Sequence, residues 1–471
     1  MIRAACAVAA SALAASACMP DQARDVAMYR EITSLGTTQV VPAQGDPLTL
    51  RDAALLANET SERLAIQGEE FVRAVAERRK RVAEFLPTVD LVPTFGFQDG
   101  NSGGSNVVFN SGASTSFDVP VVARVTLFDG FRNVNRLKSA DADVENRRAL
   151  VLDLRETLLL DVVRTYYTIL VAERSVKVLE RSLALQEERL RDIKGRQAAG
   201  VARPLDVYQT EAQVASTRVA LLDAQNSVAR GRELLAFVVG APIQACPLDD
   251  GFDVPAEIPD TSTLDEEALA SRQDLAAAEA AARAARALVD VAIGQYAPSV
   301  SLNFDWWLHR DSVPTDRDWA GLLSMNVPIF TAGQIEADIQ AAWSVFRQEV
   351  LSYQAIKRQV VTDVAVARAD VEASRSRLAE LDVQVRAARE AYRQADASYQ
   401  VGLATNLERL VALDQQLNAE LAQALEVFRY RGLYAALLRA TGRLTPGLSG
   451  VDVPLPPPRP APESPFIVAH P

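Results

Sequence analysis

Along residues 48–86 apolar side chains recur at helical spacing among charged positions such as Arg51, Glu59, Glu69, Arg73 and Glu84, and the pattern stops at Leu86 and Pro87. Proline has no N–H to offer a helix interior, so the spacing predicts one helix that ends before Pro87. Beyond it the period changes to two. Val89, Leu91, Phe95 and Phe97 share one face and Thr88, Asp90, Thr94 and Gln98 the other, and then Phe117, Val119, Val121, Val125 and Leu127 oppose Ser116, Asp118, Arg124 and Thr126. This alternation predicts two strands, in which Pro93 and Pro120 each omit a ladder hydrogen bond. After Gly130 a proline-free helical pattern runs to about residue 195, roughly 98 Å at ~1.5 Å per residue. The chain then turns at Gly200 and returns through a helix over residues 204–239.

The same order is written a second time. Residues 264–297 read as a helix closed by Pro298. Val300, Leu302, Phe304, Trp306 and Leu308 alternate with Ser301, Asn303 and Asp305, and Trp319, Leu323, Met325, Val327 and Ile329 with Ser324 and Asn326. A second long helix follows Gly333, turns at Gly402 and returns over residues 406–441. Phe128 and Phe330, Gly200 and Gly402, and Gly240 and Gly442 each lie 202 residues apart, which identifies a duplicated structural unit. Toward the far ends of the long helices the apolar positions tighten into heptads, Val176, Leu179, Leu183, Leu190 and Ile193 in one copy and Leu378, Leu381, Val385, Ala388, Tyr392 and Ala395 in the other. A left-handed coiled coil is expected there. In each copy the two shorter helices together nearly match the long one, so a copy supplies two full-length rods and two strands.

Each alternating run is close to the about 9–11 residues that a tilted strand needs to cross a bilayer. Trp306, Trp307 and Trp319 stand at one end of the strands and Phe128 and Phe330 at the other, the placement of two interfacial aromatic girdles. Alternation alone also fits a half-buried strand of a soluble sheet. Past residue 18 no apolar run is long enough for a spanning helix, since Leu158 to Ala172 is interrupted by Asp161 and Arg164, so any crossing uses strands.

Composition narrows the picture further. Of 471 residues only 6% are aromatic, as in long helices rather than a compact enzyme, and a net charge of −12 speaks against a nucleic-acid partner. With His309 and His470 as the two histidines, no zinc or general-base site is expected, and no nucleophile or phosphate-binding constellation is present, so neither enzymatic activity nor a cofactor is expected. Residues 1–17, with Arg3 ahead of an apolar run, read as a signal peptide. Ala15, Ser16 and Ala17 fit ordinary signal peptidase, while the run from Leu13 to Cys18 resembles a lipoprotein box and makes Cys18 a lipidation candidate. Cys6 falls inside the signal, and Cys246 reads as a loop thiol without a role. The remaining organisation is an N-terminal segment over 18–47, repeats over 48–240 and 264–442, a connection over 241–263 and a proline-rich tail over 443–471.

Taken in order and in duplicate, these residues resemble the TolC-like outer-membrane efflux family from Leu48 to Gly442. The resemblance rests on Leu48, Thr49 and Leu50 opening the first helix, and on Leu86 and Pro87 before a strand. It rests equally on Leu127 to Gly130 after one, on Val401, Gly402 and Leu403 at a helical tip, and on the glycine endings at Gly240 and Gly442. It implies a mainly α fold with a β-barrel part: long antiparallel helical hairpins forming a trimeric α-barrel in the periplasm, and four strands per chain contributing to a twelve-stranded transmembrane barrel. Four strands cannot close a barrel alone, and an open edge in lipid leaves backbone groups unpaired, so self-association is required, and the resemblance implies a homotrimer. The implied function is a passive exit duct of a tripartite efflux or type I secretion system, with a periplasmic adaptor and an inner-membrane pump as partners. The connection over 241–263 is expected to join a belt around the tunnel.

At the periplasmic entrance the resemblance places Asp206 and Glu408, has Tyr399 bond to Asp206, and sets Arg189 opposite Asp396. Adaptor docking is expected near Gly200, Val401, Gly402 and Leu403. Ala404 stands where the family carries a basic residue. The residues themselves leave a second reading open for both acids: Thr405 and Glu408 fit a capping box, and Pro204 at a first helical position puts Asp206 at the third. A competing function class is a periplasmic coiled-coil adaptor or scaffold without a pore, which the four strands with terminal aromatics do not suit.

Overall fold

The computed structural model describes residues 22–33, 47–98, 114–249, 254, 261–311 and 317–445. The signal peptide, Cys18 and nearly all of the proline-rich tail lie outside the described residues. The order is α1 (Gln22–Thr33), β1 (Leu48–Thr49), α2 (Leu50–Thr60), α3 (Glu62–Ala83), β2 (Thr88–Leu91), β3 (Thr94–Gln98), β4 (Ser114–Phe128), α4 (Arg132–Ala198) and α5 (Pro204–Val239), then β5 (Leu248–Asp249), α6 (Thr261–Ser271), α7 (Gln273–Ile293), β6 (Ser299–His309), β7 (Trp319–Asn326), α8 (Gln334–Gln400) and α9 (Asn406–Ala440). The duplication holds to the residue in the long helices: α4 and α8 are each 67 residues, and both their ends are offset by 202 positions.

Residues 70–149 with 276–355 form one compact unit, which carries the larger sheet. Its strands run in the order β2-β4-β6-β7, with β3 also on β4, and every pairing is antiparallel. The first expected strand is split at Val92 and Pro93. Register nevertheless runs on unchanged, Leu91 facing Val121 and Thr94 facing Asp118, so the gap lies against Pro120, whose carbonyl accepts from Val92 N–H at 3.0 Å. The interruption thus falls where two prolines remove ladder donors from neighbouring positions. On its other side Pro120 sits at a register shift against β6, a bulge rather than a break.

Register sorts the side chains onto two faces. Val89 and Leu91, Val121, Ala123 and Val125, Leu302, Phe304 and Trp306, and Trp319, Leu323 and Met325 share one face. Thr88 and Asp90, Arg124 and Thr126, Ser301, Asn303 and Asp305, and Ser324 and Asn326 share the other, where Arg124 pairs with Asp90 at 3.4 Å. The apolar face stands open, with Val89 64% and Met325 68% exposed. A soluble sheet covers that face with its own chain, whereas apolar-out and polar-in is the arrangement of a strand with lipid outside and water inside. No helix among the described residues is long and apolar enough to cross a membrane.

Where β4 gives way to α4 the backbone takes two consecutive left-handed residues, Gly130 (φ 71°) and Phe131 (φ 62°), and 202 positions on it does so again at Ala332 (φ 51°) and Gly333 (φ 84°). Each copy relieves the strain with one glycine, at opposite positions of the pair. Gly130 is additionally fixed by space, since a Cβ there would lie 2.4 Å from the Gly294 carbonyl oxygen.

The other unit comprises residues 1–69, 150–275 and 356–471. Its main core joins Leu48, Leu50 and Ala53 to Leu159, Val162, Val163, Tyr166 and Ile169, and to Leu235, Val239, Ala435 and Leu438. Buried Tyr166 places its hydroxyl 2.6 Å from the carbonyl oxygens of Leu48 and Asp249, beside the two-residue parallel ladder of β1 and β5. That ladder was not expected, because two residues carry no alternation. Cys246 lies in a loop, as expected, and its thiol is buried in this core.

The helices expected over 48–86 and 264–297 are each broken, whereas α5 and α9 run whole. At Ser61 the backbone is extended (ψ 115°), yet its N–H still bonds Ala57 and its hydroxyl accepts from Leu64 N–H at 3.3 Å, so one serine ends α2 and caps α3. At the equivalent junction Arg272 turns inward. It bonds Asp274 through Nε at 3.0 Å and Nη2 at 2.6 Å, and Asp363 through Nη1 at 2.8 Å.

Candidate functional site

The hairpins α4–α5 and α8–α9 turn through closely similar loops. Gly200 N–H bonds Gln197 and Val201 N–H bonds Arg196, while Gly402 N–H bonds Tyr399 and Leu403 N–H bonds Ser398. Gly200 and Gly402 are left-handed (φ 77° and 78°) in open space, so conformation alone calls for glycine there. Val201, Leu205, Val401, Leu403 and Leu407 are exposed around the two turns.

Both acids cap helices. Glu408 accepts from Thr405 N–H at 2.8 Å while Thr405 Oγ1 accepts from Glu408 N–H at 3.3 Å, a reciprocal box. Asp206 accepts from Arg203 N–H at 3.3 Å, and from the Arg203 guanidinium at 3.2 Å (Nε to Oδ2) and 2.9 Å (Nη2 to Oδ1). The Arg203 guanidinium thereby holds the Asp206 carboxyl below its ordinary range. The implied bond between Tyr399 and Asp206 is not made. Arg203, at the cap position of the same helix, reaches the carboxylate locally, and the Tyr399 ring lies between two guanidinium groups, Arg409 at 4.1 Å and Arg196 at 5.5 Å from its centroid.

The structure brings Arg189 and Asp396 together, Nη2 donating to Oδ2 at 2.9 Å. Gln400 donates to the same oxygen at 2.9 Å, and Arg409 Nη1 stands 3.8 Å from the other. For Arg189 burial acts to lower the pKa, but the Tyr392 hydroxyl and Asp396 outweigh it and leave the guanidinium raised. Two residues of this network, Asn406 and Arg409, escaped the sequence reading. Both are only 2% exposed. Arg409 Nη2 donates to Asn406 Oδ1 at 2.8 Å, and Asn406 Nδ2 reaches the Asp206 carbonyl oxygen at 3.3 Å and Thr210 Oγ1 at 3.4 Å. Side chains of α4, α5, α8 and α9 are therefore tied into one polar cluster. Its signal was available: at the 202-residue offset Arg409 corresponds to Val207 and Asn406 to Pro204, so polar groups occupy what is otherwise an apolar, capped turn. Among the described residues no group of three or more His, Cys, Asp or Glu is placed to hold a metal ion.

A family model described as outer membrane efflux protein matches residues 65–241 and 264–443, one match to each copy of the repeat. Outer membrane efflux protein BepC of Brucella suis biovar 1 (strain 1330) is 25% identical over 344 residues, covering 72% of this chain and 75% of that protein. Probable efflux pump outer membrane protein TtgC of Pseudomonas putida (strain KT2440) is 30% identical over 283 residues, 56% of each chain. Cation efflux system protein CusC of Escherichia coli (strain K12) is 24% identical over 345 residues, 70% of this chain and 72% of that protein. Among solved structures, the outer-membrane channel OprN superimposes with a TM-score of 0.75 at 25% identity, covering 83% of this chain and 89% of that one. VceC of Vibrio cholerae shares the fold with a TM-score of 0.75 at 21% identity, covering 83% and 96%. With both repeats matched and the apolar-out, polar-in sheet in place, the chain belongs to the outer membrane efflux protein family.

Proposed function

We propose that three copies of this chain assemble into a passive exit duct of a tripartite efflux or type I secretion system, set in the outer membrane and gated at its helical tip. The observation that carries the reading is the five-stranded sheet, whose apolar face is open and whose outer strands, β2 with β3 on one side and β7 on the other, have no further strand partner among the described residues. Edges of this kind do not survive in hydrocarbon, and three such sheets joined edge to edge leave none. The exposed side of α5 supports assembly as well: Leu205, Tyr208, Val219 and Leu222 recur there at heptad spacing, open to solvent in a single chain. A periplasmic adaptor docks at Gly200, Val401, Gly402 and Leu403, where apolar side chains flank both turns, and an inner-membrane pump supplies the energy. No residue of the duct is catalytic. CusC is named for cation efflux and TtgC for an efflux pump, and cargo is selected by the pump rather than by this chain. Cys18 carries the lipid anchor.

The test is the mass of the detergent-solubilised particle together with its behaviour in a planar bilayer. Three chains per particle and a discrete conductance are expected. A stable single subunit, soluble without detergent and silent in the bilayer, overturns the reading in favour of a non-pore adaptor or scaffold.

A further inference from the structure

We infer that Arg409 is the positioning residue of the tip closure: its buried guanidinium sets the Tyr399 ring and Asp396 in place, and through them and Asn406 fastens the α8–α9 hairpin to the α4–α5 hairpin. The inference rests on reading the tip as a gate.

The two copies of the repeat supply an internal control. Val207 and Arg409 stand at equivalent positions, three residues into α5 and α9 after equivalent left-handed turns, and both are buried, at 6% and 2% exposure. An apolar residue therefore satisfies the helix at this position, and the guanidinium serves something else. Burying it is costly unless its donors and its charge are met. They are met partly within α9, where Asn406 Oδ1 accepts at 2.8 Å, and partly across to α8, where Asp396 Oδ1 stands at 3.8 Å and the Tyr399 face at 4.1 Å, while burial still holds the guanidinium below its ordinary pKa. The Tyr399 counterpart in the first copy is Gln197 and the Asp396 counterpart is Lys194, so the whole set of partners exists once per chain and not twice. Asp396 in turn holds Arg189 of α4, and Asn406 holds the Asp206 carbonyl and Thr210 of α5. Ala404 stands where the resemblance places a basic residue, and Arg409, five positions on, is a buried cation beside the same turn.

Reconstituted full-length protein in planar bilayers provides the test, with Arg409→Val, the residue the first copy uses, and Arg409→His. The valine variant is expected to raise conductance about tenfold while keeping the particle mass of the parent. A histidine at 409 would face Arg189 of α4, Asp206 of α5, and Tyr392, Tyr399 and Asp396 of α8. Charged at about pH 5.5 it replaces the guanidinium, and neutral at about pH 8 it does not, so this variant is expected to be closed in acid and open in base. A purely structural arginine would not produce that reversal. If both variants conduct like the parent at both pH values while Asp206→Ala with Glu408→Ala opens the channel, the gate reading stands and the role of Arg409 is overturned. If none of the variants changes conductance, the gate reading falls and the inference with it.

Discussion

Glu156 is 3% exposed on α4, with the Arg439 guanidinium 3.3 Å from its carboxylate. Burial pushes its pKa up to about 7 against the pull of Arg439 and Arg155, and Asp153 and Asp274 push the same way. In the unfolded chain the group titrates near 4.5. Between those values the folded protein keeps a proton that the unfolded chain has lost, so the contribution of this group to stability is greatest at low pH, falls as pH rises through this window and levels off above about 7. The fall amounts to about 3 kcal/mol per chain. Denaturation midpoints measured between about pH 5 and pH 8 should decline for the parent and stay level for Glu156→Gln, which should be the more stable protein at the upper end. Equal slopes for the two proteins would remove Glu156 as the cause.

At the tip, residue chemistry was legible wherever it is local. Thr405 and Glu408 cap each other because both partners sit within one turn, and a motif of that length can be read off the chain. The Arg203 hold on Asp206 is local in the same sense, three residues apart, and it took the carboxylate that the resemblance had assigned to Tyr399. The 202-residue offset marks Arg409 as unlike its counterpart Val207, but its contacts with Asp396 and Tyr399 were not legible, because they lie on another helix and meet it only once α8 and α9 pack.

At the scale of elements, prolines and glycines announced the punctuation and ordinary residues concealed it. Pro87, Pro93 and Pro298 mark real ends because a missing N–H acts in any surroundings. Ser61 and Arg272 break helices without either residue type, one by capping with its hydroxyl and one by turning a side chain into carboxylate partners on its own and a distant helix. Replacing the Thr405 cap should show how much the turn depends on it. Thr405→Ala is expected to cost about 1 kcal/mol, read as faster amide exchange over residues 406–410 with the core unaffected. The sheet offers a sharper contrast between neighbouring positions. Leu323→Arg places a charge on the apolar face and should cost about 2–4 kcal/mol in the bilayer, seen as lost heat-modifiable oligomer on gels, whereas Ser324→Arg on the polar face should assemble normally. Equal effects at 323 and 324 would mean that lipid does not cover this face.

For the molecule as a whole, the proposed anchor and the proposed assembly separate cleanly. Cys18→Ser should abolish incorporation of labelled palmitate and leave the number of chains per particle unchanged, since the sheet edges and not the lipid demand partners. Label retained in that variant would mean that Cys18 is not the modified residue.

The sequence by itself determined the long helices, the main strand segments and their duplication, because the periods of 2 and 3.6 are properties of a single strand or helix and need no knowledge of what packs against them. It also carried the strand faces, which alternation assigns before any register is known. The tertiary structure decided which strands neighbour one another, that the apolar face stays uncovered, where the shorter helices bend, and which side chains meet at the tip. Those outcomes depend on residues roughly 200 positions apart coming within hydrogen-bonding range, as Asn406 and the Asp206 carbonyl do, and no local pattern encodes a contact across that separation.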